Sequence, residues 1–192
     1  MVDNLQAKRP LAIDFDFIHQ LEGGSLLLGY VSKPDSSKNG VKIAAGFDLG
    51  GKNPNDLRML GLNATLVGKL YPYLGRQGLD AQAYVMKFPL TISVHEAAAI
   101  NSGVALKLAG RLTEGFNADS AISFNDLPSC WQTVIASIEF QHGNLSRYCP
   151  VFWNWVVHQK WDKALLELKD FGDQNSRRRD KEADYIVAHS KR

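Results

Sequence analysis

Along the chain the spacing of apolar residues passes from a helical period to a β-like one and back again. In "LAIDFDFIHQLE", Ile13, Phe17, Ile18 and Leu21 fall on one face of a helix, with Asp14 and Asp16 near its start, where the helix field favours acids. The stretch "GGSLLLGYVSKPDSSKNGVKIAAGFDLGG" breaks that period with glycines and a polar turn, "KPDSSKNG", and holds short β-prone runs around Tyr30 and over 41–45. Within it Asn39-Gly40 predicts a hairpin turn. From "NPNDLRMLGL" onward the pattern is helical almost to the end, predicting helices over 54–60, 64–70, 81–86, 94–112, 120–126, 131–141, 149–159, 160–171 and 178–189. The longest opens on Ser93 and Glu96, an S-x-x-E capping box. These elements predict an α+β fold: a first helix, a small antiparallel sheet, then a helical body, with the long helix joining two lobes about a cleft. Residues 1–12 read as a frayed leader and 13–192 as one domain, its sheet lobe about 22–60 and its helical lobe about 61–190 plus the first helix, 13–22.

Bulk composition narrows the function classes only a little. The 192 residues are 45% hydrophobic and 22% charged, enough for a real core and for two lobes. A formal net charge of +2 is too weak to argue for nucleic acid, though it is compatible with an anionic polymer. No apolar run reaches signal-peptide or transmembrane length, so the chain is expected to be made in the cytoplasm, without membrane insertion, and to need a dedicated route for any export. Cys130 and Cys149 read as plain buried thiols, a single bridge between them staying open. The five histidines, His19, His95, His142, His158 and His189, show no HxxxH spacing, so no metal and no other cofactor is expected.

Chemistry enters with one misplaced charge. Glu22 ends the first helix, just before two glycines, where helix electrostatics prefers a cation and the acid form of a carboxyl is the better tolerated one. Asp48 stands where the β run passes into the glycine-rich turn "DLGG". Two carboxyls flanking one small sheet, one in an acid-stabilising place and one in a polar turn, are the parts that glycoside hydrolysis needs.

Two blocks of sequence carry a resemblance. The stretch "FIHQLEGGSLLLGYV … NGVKIAAGFDLGG" resembles the catalytic region of the pesticin-type, phage-lysozyme-like muramidases, with its E-G-G helix end, G-Y strand and G-V-T-I-A-x-G-F-D-L-G turn. The later "EFQHGNLSRYCPVFWNWVVHQKWDKALLELKDFGDQNSRRRDKEADYIV" is similar to the same family's F-Q-x-G-N-L, P-x-F-W and W-x-x-A-L-x-E-L helices and its closing segment. The likeness runs over roughly residues 13 to 188. It implies a two-lobed lysozyme-like fold that cleaves the β-1,4 bond between the amino sugars of peptidoglycan. By position Glu22 becomes the general acid and Asp48 the second carboxylate, stabilising positive charge at the sugar or orienting the attacking water.

One position departs from the family pattern: Lys42 stands where the motif has Thr, a residue that the resemblance assigns to the hydrolytic water. A charged Lys accepts no hydrogen bond and opposes an oxocarbenium-like transition state. Three readings follow: Lys42 points away, it forms an ion pair that reorganises the site, or the enzyme is weakened, altered or inactive. Gln141 matches a helix position facing the sugar cleft in phage-type relatives, against a solvent-facing helix end; Tyr30 either stacks on a sugar or packs under the sheet. Asp35, in the "KPDSSKNG" turn, is the reserve for the second carboxylate. The tryptophans Trp131, Trp153, Trp155 and Trp161 are spaced as core residues, and "RRRDKEAD" reads as a solvated helical turn with an Arg178–Glu182 pair, or else as a cleft rim.

The resemblance thus implies an antibacterial toxin or effector, or a lysis enzyme. It would be a monomer acting in a periplasm or on a cell wall after delivery, with an immunity or inhibitor protein as partner. The competing readings are a lysozyme fold kept as a glycan-binding module, and a hydrolase of a chitin-like polymer.

Overall fold

The computed structural model describes residues 9–36 and 38–190. The first helix, α1, is Phe15–Leu21; strands β1 (Leu26–Tyr30), β2 (Lys42–Ala44) and β3 (Phe47–Asp48) follow. Then come α2 (Pro54–Met59), α3 (Ala64–Leu70), α4 (Gly78–Lys87), the long α5 (Val94–Asp119), α6 (Ser129–His142), α7 (Leu145–Tyr148), α8 (Pro150–Val157), α9 (Trp161–Lys169) and α10 (Ser176–His189). This is the expected α+β composition, a small three-stranded sheet among many helices. None of the described helices is long and apolar enough to cross a membrane.

The described residues divide into two compact units: one within His19–Lys107, and the other of residues 9–18 together with 108–190. The divisions fall inside α1 and α5. Residues 61–107 thus belong with the sheet rather than with the later helices.

In the sheet-bearing unit the strands run antiparallel in the order β1-β2-β3. The outer side of β1 is not open along its length, because Gly29 N–H donates to Leu90 O at 2.8 Å and Ile92 N–H donates to Leu27 O at 2.9 Å. Val41, Ile43 and Leu49 are fully buried and join Leu57, Leu66, Leu70, Leu90 and Ile100 in one core. The capping box at the start of α5 forms as expected: Glu96 accepts from Ser93 N–H at 2.7 Å and its own N–H donates to Ser93 Oγ at 3.2 Å. Lys69, bonded to Glu96 at 2.6 Å, and the Ser93 amide hold that carboxyl below its usual range.

The other unit is built around α6, in which every residue from Cys130 to Glu139 is buried. Phe116, Phe124, Phe152, Trp131 and Trp153 pack with it, and Trp155 and Trp161 lie against the same core. Cys130 and Cys149 are both buried and free, and burial pushes the Cys149 thiol up to about 11. Asp14 caps α1 by accepting from Phe17 N–H at 2.9 Å, and it also takes the Tyr185 hydroxyl at 3.0 Å. Of the expected leader, residues 1–8 lie outside the described residues; Ala12 N–H donates to Gln132 Oε1.

Three local expectations need correction. The Asn39-Gly40 pair does not make a two-residue hairpin, since Tyr30 pairs with Lys42 and residues 31–41 intervene. The helix expected over 120–126 is only a 3₁₀ turn, Phe124–Asp126, after α5 has run on to Asp119. There Asn117 Oδ1 takes the Phe124 N–H and the Ser120 hydroxyl donates to Val157 O, so side chains replace helical bonds. The "RRRDKEAD" turn is solvated only along the side that carries Arg177, Asp180, Lys181 and Asp184. Arg178 forms its pair with Glu182 at 3.1 Å, but Glu182 is fully buried and Arg179 is 1% exposed.

Candidate active site

The site in the sheet-bearing unit starts from a helix end. Gly23 and Gly24 both adopt positive φ, 86° and 85°. Their amides donate back to Gln20 O at 3.1 Å and His19 O at 2.9 Å. This is a Schellman closure with Glu22 as the last residue of the turn, which explains the E-G-G pattern physically. Glu22 is half-buried. Its Oε2 lies 4.0 Å from the position a Cβ would take on Gly46, so the carboxyl meets the turn between β2 and β3.

That turn is costly in backbone terms. Ile43 pairs with Phe47, leaving Ala44, Ala45 and Gly46 to reverse the chain, and Ala44 sits at φ +53° with Gly46 at +79°. A non-glycine residue in the left-handed region is held there by its surroundings. Here the Ala45 amide donates to Asn101 Oδ1 at 3.1 Å, and Asn101 Nδ2 donates to Ser25 Oγ at 3.2 Å.

Asp48 lies at the other end of the same hairpin. Its carboxylate accepts from Gly40 N–H at 3.2 Å through each oxygen and from Gly50 N–H at 2.8 Å through Oδ1. Both glycines are required by close approach: a Cβ on Gly40 would stand 2.3 Å from Gly50 Cα. The segment 75–78 supports this clasp through Gly78 N–H to Asn39 O at 2.7 Å and Gln77 Nε2 to Gly50 O at 3.0 Å. Asp48 is therefore a half-buried anion fixed by backbone dipoles, with Oδ2 the less occupied oxygen.

Lys42 is directly opposite Asp48 in the β2–β3 ladder and directly opposite Tyr30 in the β1–β2 ladder. Residues paired in this way project from the same face of a sheet. Tyr30, Lys42 and Asp48 thus form one half-buried row, on the face opposite fully buried Val41 and Ile43. Lys42 thus leaves the sheet on the same face as Asp48. Among the described residues it makes no ion pair within 4.0 Å. Asp35 is exposed within the 31–41 connection.

Gln141 belongs to the other unit, at the end of α6. Its Oε1 accepts from Arg179, which also binds Glu182, Asp173 at 2.9 Å and His142 Nε2 at 2.8 Å. The side-chain oxygen of Gln141 is thus committed to a buried ionic network. Burial and the Arg179 charge lower the His142 pKa. Burial opposes ionisation of Asp173, but the Asn175 amide and Arg179 outweigh it and lower that pKa too. The described residues hold no cluster of three His, Cys, Asp or Glu suited to a metal ion.

Sequence reading overlooked Asn101, although an Asn inside the alanine-rich helix "HEAAAINSGVALKLAG" is itself a signal, because it disfavours a helix interior. It also overlooked the Gly40 and Gly50 amides, for which the glycine-rich flanks of the β run were the only sign. What the hairpin brings together is one carboxyl on a helix end, suited to proton delivery, and one fixed carboxylate, suited to stabilising a cation or orienting a water.

Comparison with known proteins places the chain in a family. No curated protein matches the chain. A family described as "Pesticin: Bacterial toxin homologue of phage lysozyme, C-term" matches residues 12–162, which include both carboxyls and the whole hairpin between them. With most of its length under that match, the chain belongs to the pesticin family of phage-lysozyme-like bacterial toxin domains.

Proposed function

We propose that this protein is a muramidase, cleaving β-1,4 bonds between the amino sugars of peptidoglycan as the activity of an antibacterial toxin or effector. Glu22 protonates the leaving glycosidic oxygen, and Asp48 stabilises the developing positive charge or orients water on the opposite face of the sugar. The observation that carries this reading is the convergence of both carboxyls on one hairpin. Glu22 Oε2 approaches the Gly46 turn, and Asp48 follows two residues later under a backbone clasp. Family membership supports wall glycan as substrate and an immunity protein as partner. The enzyme acts in the periplasm or on the wall, reached by a dedicated delivery route.

Lys42 favours one second reading, a lysozyme fold with weakened catalysis that serves to bind glycan. Its ammonium shares a sheet face with Asp48, where a cation opposes the transition state. Product analysis separates the readings. Incubation with purified peptidoglycan and, in parallel, with chitin oligomers yields new reducing ends on muramic acid if the enzyme is a muramidase. Reducing ends from chitin alone point to the chitin-like substrate. Intact glycans together with retained binding point to the binding module, and either of these outcomes overturns the proposal.

A further inference from the structure

We infer that Asn101 is a positioning residue for the Glu22 carboxyl, an inference that rests on Glu22 being the acid of the site. The Asn101 side chain hydrogen-bonds both segments bracketing that carboxyl. Its Oδ1 accepts the Ala45 amide at 3.1 Å and its Nδ2 donates to Ser25 Oγ at 3.2 Å. The orientation of the amide follows from chemistry, since a backbone N–H only donates and so the carbonyl oxygen must face Ala45.

Each arm restrains something the backbone leaves soft. Ser25 lies just past Gly23 and Gly24, both at positive φ, so the helix end carrying Glu22 is joined to β1 through two glycines, the residue type with the least restricted backbone. Ala45 lies between Ala44 at φ +53° and Gly46 at φ +79°, in the turn that meets Glu22 Oε2. The amide of Asn101 therefore sets the spacing between the acid and the wall it faces, from a helix position where Asn has no local advantage. Sub-ångström misplacement of a proton donor is enough to slow glycoside hydrolysis while substrate binding survives.

Three variants test this against wild type and Glu22→Gln on peptidoglycan. Asn101→Ala is expected to lower kcat roughly 10- to 100-fold with KM within about twofold. Asn101→Asp is expected to restore most of the loss, because a carboxylate still accepts from Ala45 and the Ser25 hydroxyl can turn to donate. Ser25→Ala, at an exposed position, removes one arm without threatening folding and is expected to give a smaller loss of kcat with an unchanged unfolding temperature. If Glu22→Gln is inactive while both Asn101→Ala and Ser25→Ala keep wild-type kcat, the inference falls and the muramidase reading stands. If Asn101→Asp fails to rescue while unfolding temperature and kcat fall together, Asn101 is merely structural and the inference falls. If Glu22→Gln matches wild type, both fall together.

Discussion

At the scale of single residues, the unusual choices in this chain are a carboxyl at a helix C-terminus and a lysine in the sheet row that holds Asp48. The first is explained by the Schellman closure, in which Gly23 and Gly24 end α1 and leave Glu22 at its rim. This much was readable from "LEGG", because glycine is the residue that tolerates positive φ there. Lys42 was readable as an anomaly but not as a geometry. Only strand register shows that it projects beside Asp48, with backbone amides rather than its ammonium holding that carboxylate. Its Cβ stands roughly 5 Å, by cross-strand spacing, from that of Asp48, the carboxylate proposed to stabilise a cation. Lys42→Thr is therefore expected to raise kcat on peptidoglycan about fivefold, with an unfolding temperature close to wild type. A fall in kcat would mean instead that the ammonium serves the reaction.

At the scale of elements, helices with a clear apolar face were legible and the irregular links between them were not. The expected 64–70 helix coincides with α3, and the expected capping box opens α5. The connection 31–41 was misjudged because Asn39-Gly40 has two physical uses. Here Gly40 serves close approach to Gly50, not a tight turn. Gly40→Ala puts a Cβ 2.3 Å from backbone atoms that cannot rotate away, and it opens the clasp on Asp48. We expect that variant to lose about 1–3 kcal/mol of stability and most of its hydrolytic rate. Thermal unfolding and wall hydrolysis check this, and an unchanged melting temperature would show that the two loops part freely.

At the scale of the whole molecule, the chain carries two cores, and the one around α6 holds a buried ionic network that hydropathy could not reveal. A run such as "RRRDKEAD" looks solvated because its charges are counted singly, whereas here Arg179 and Glu182 satisfy one another in the interior. Folding lowers the proton affinity of His142, which faces Arg179, Arg178 and Asp173. Between its folded value and the ordinary 6.5, the unfolded chain holds the extra proton, so stability rises with pH across that window and is lost as pH falls through it. Asp173, lowered from 3.8, adds stability that is present above that value and is lost below it. The melting temperature is accordingly expected to drop on acidification from neutrality, and His142→Gln to flatten the portion just below pH 6.5. An identical pH profile in the variant would remove His142 from the explanation.

The measurement that bears most directly on the account is the rate at which purified peptidoglycan loses turbidity, with wild type beside Glu22→Gln and circular dichroism confirming that both are folded. The account predicts clearing by wild type and a loss of roughly 10²- to 10⁴-fold in the variant, the contribution expected of a general acid. Clearing by Glu22→Gln at a rate within twofold of wild type would contradict it.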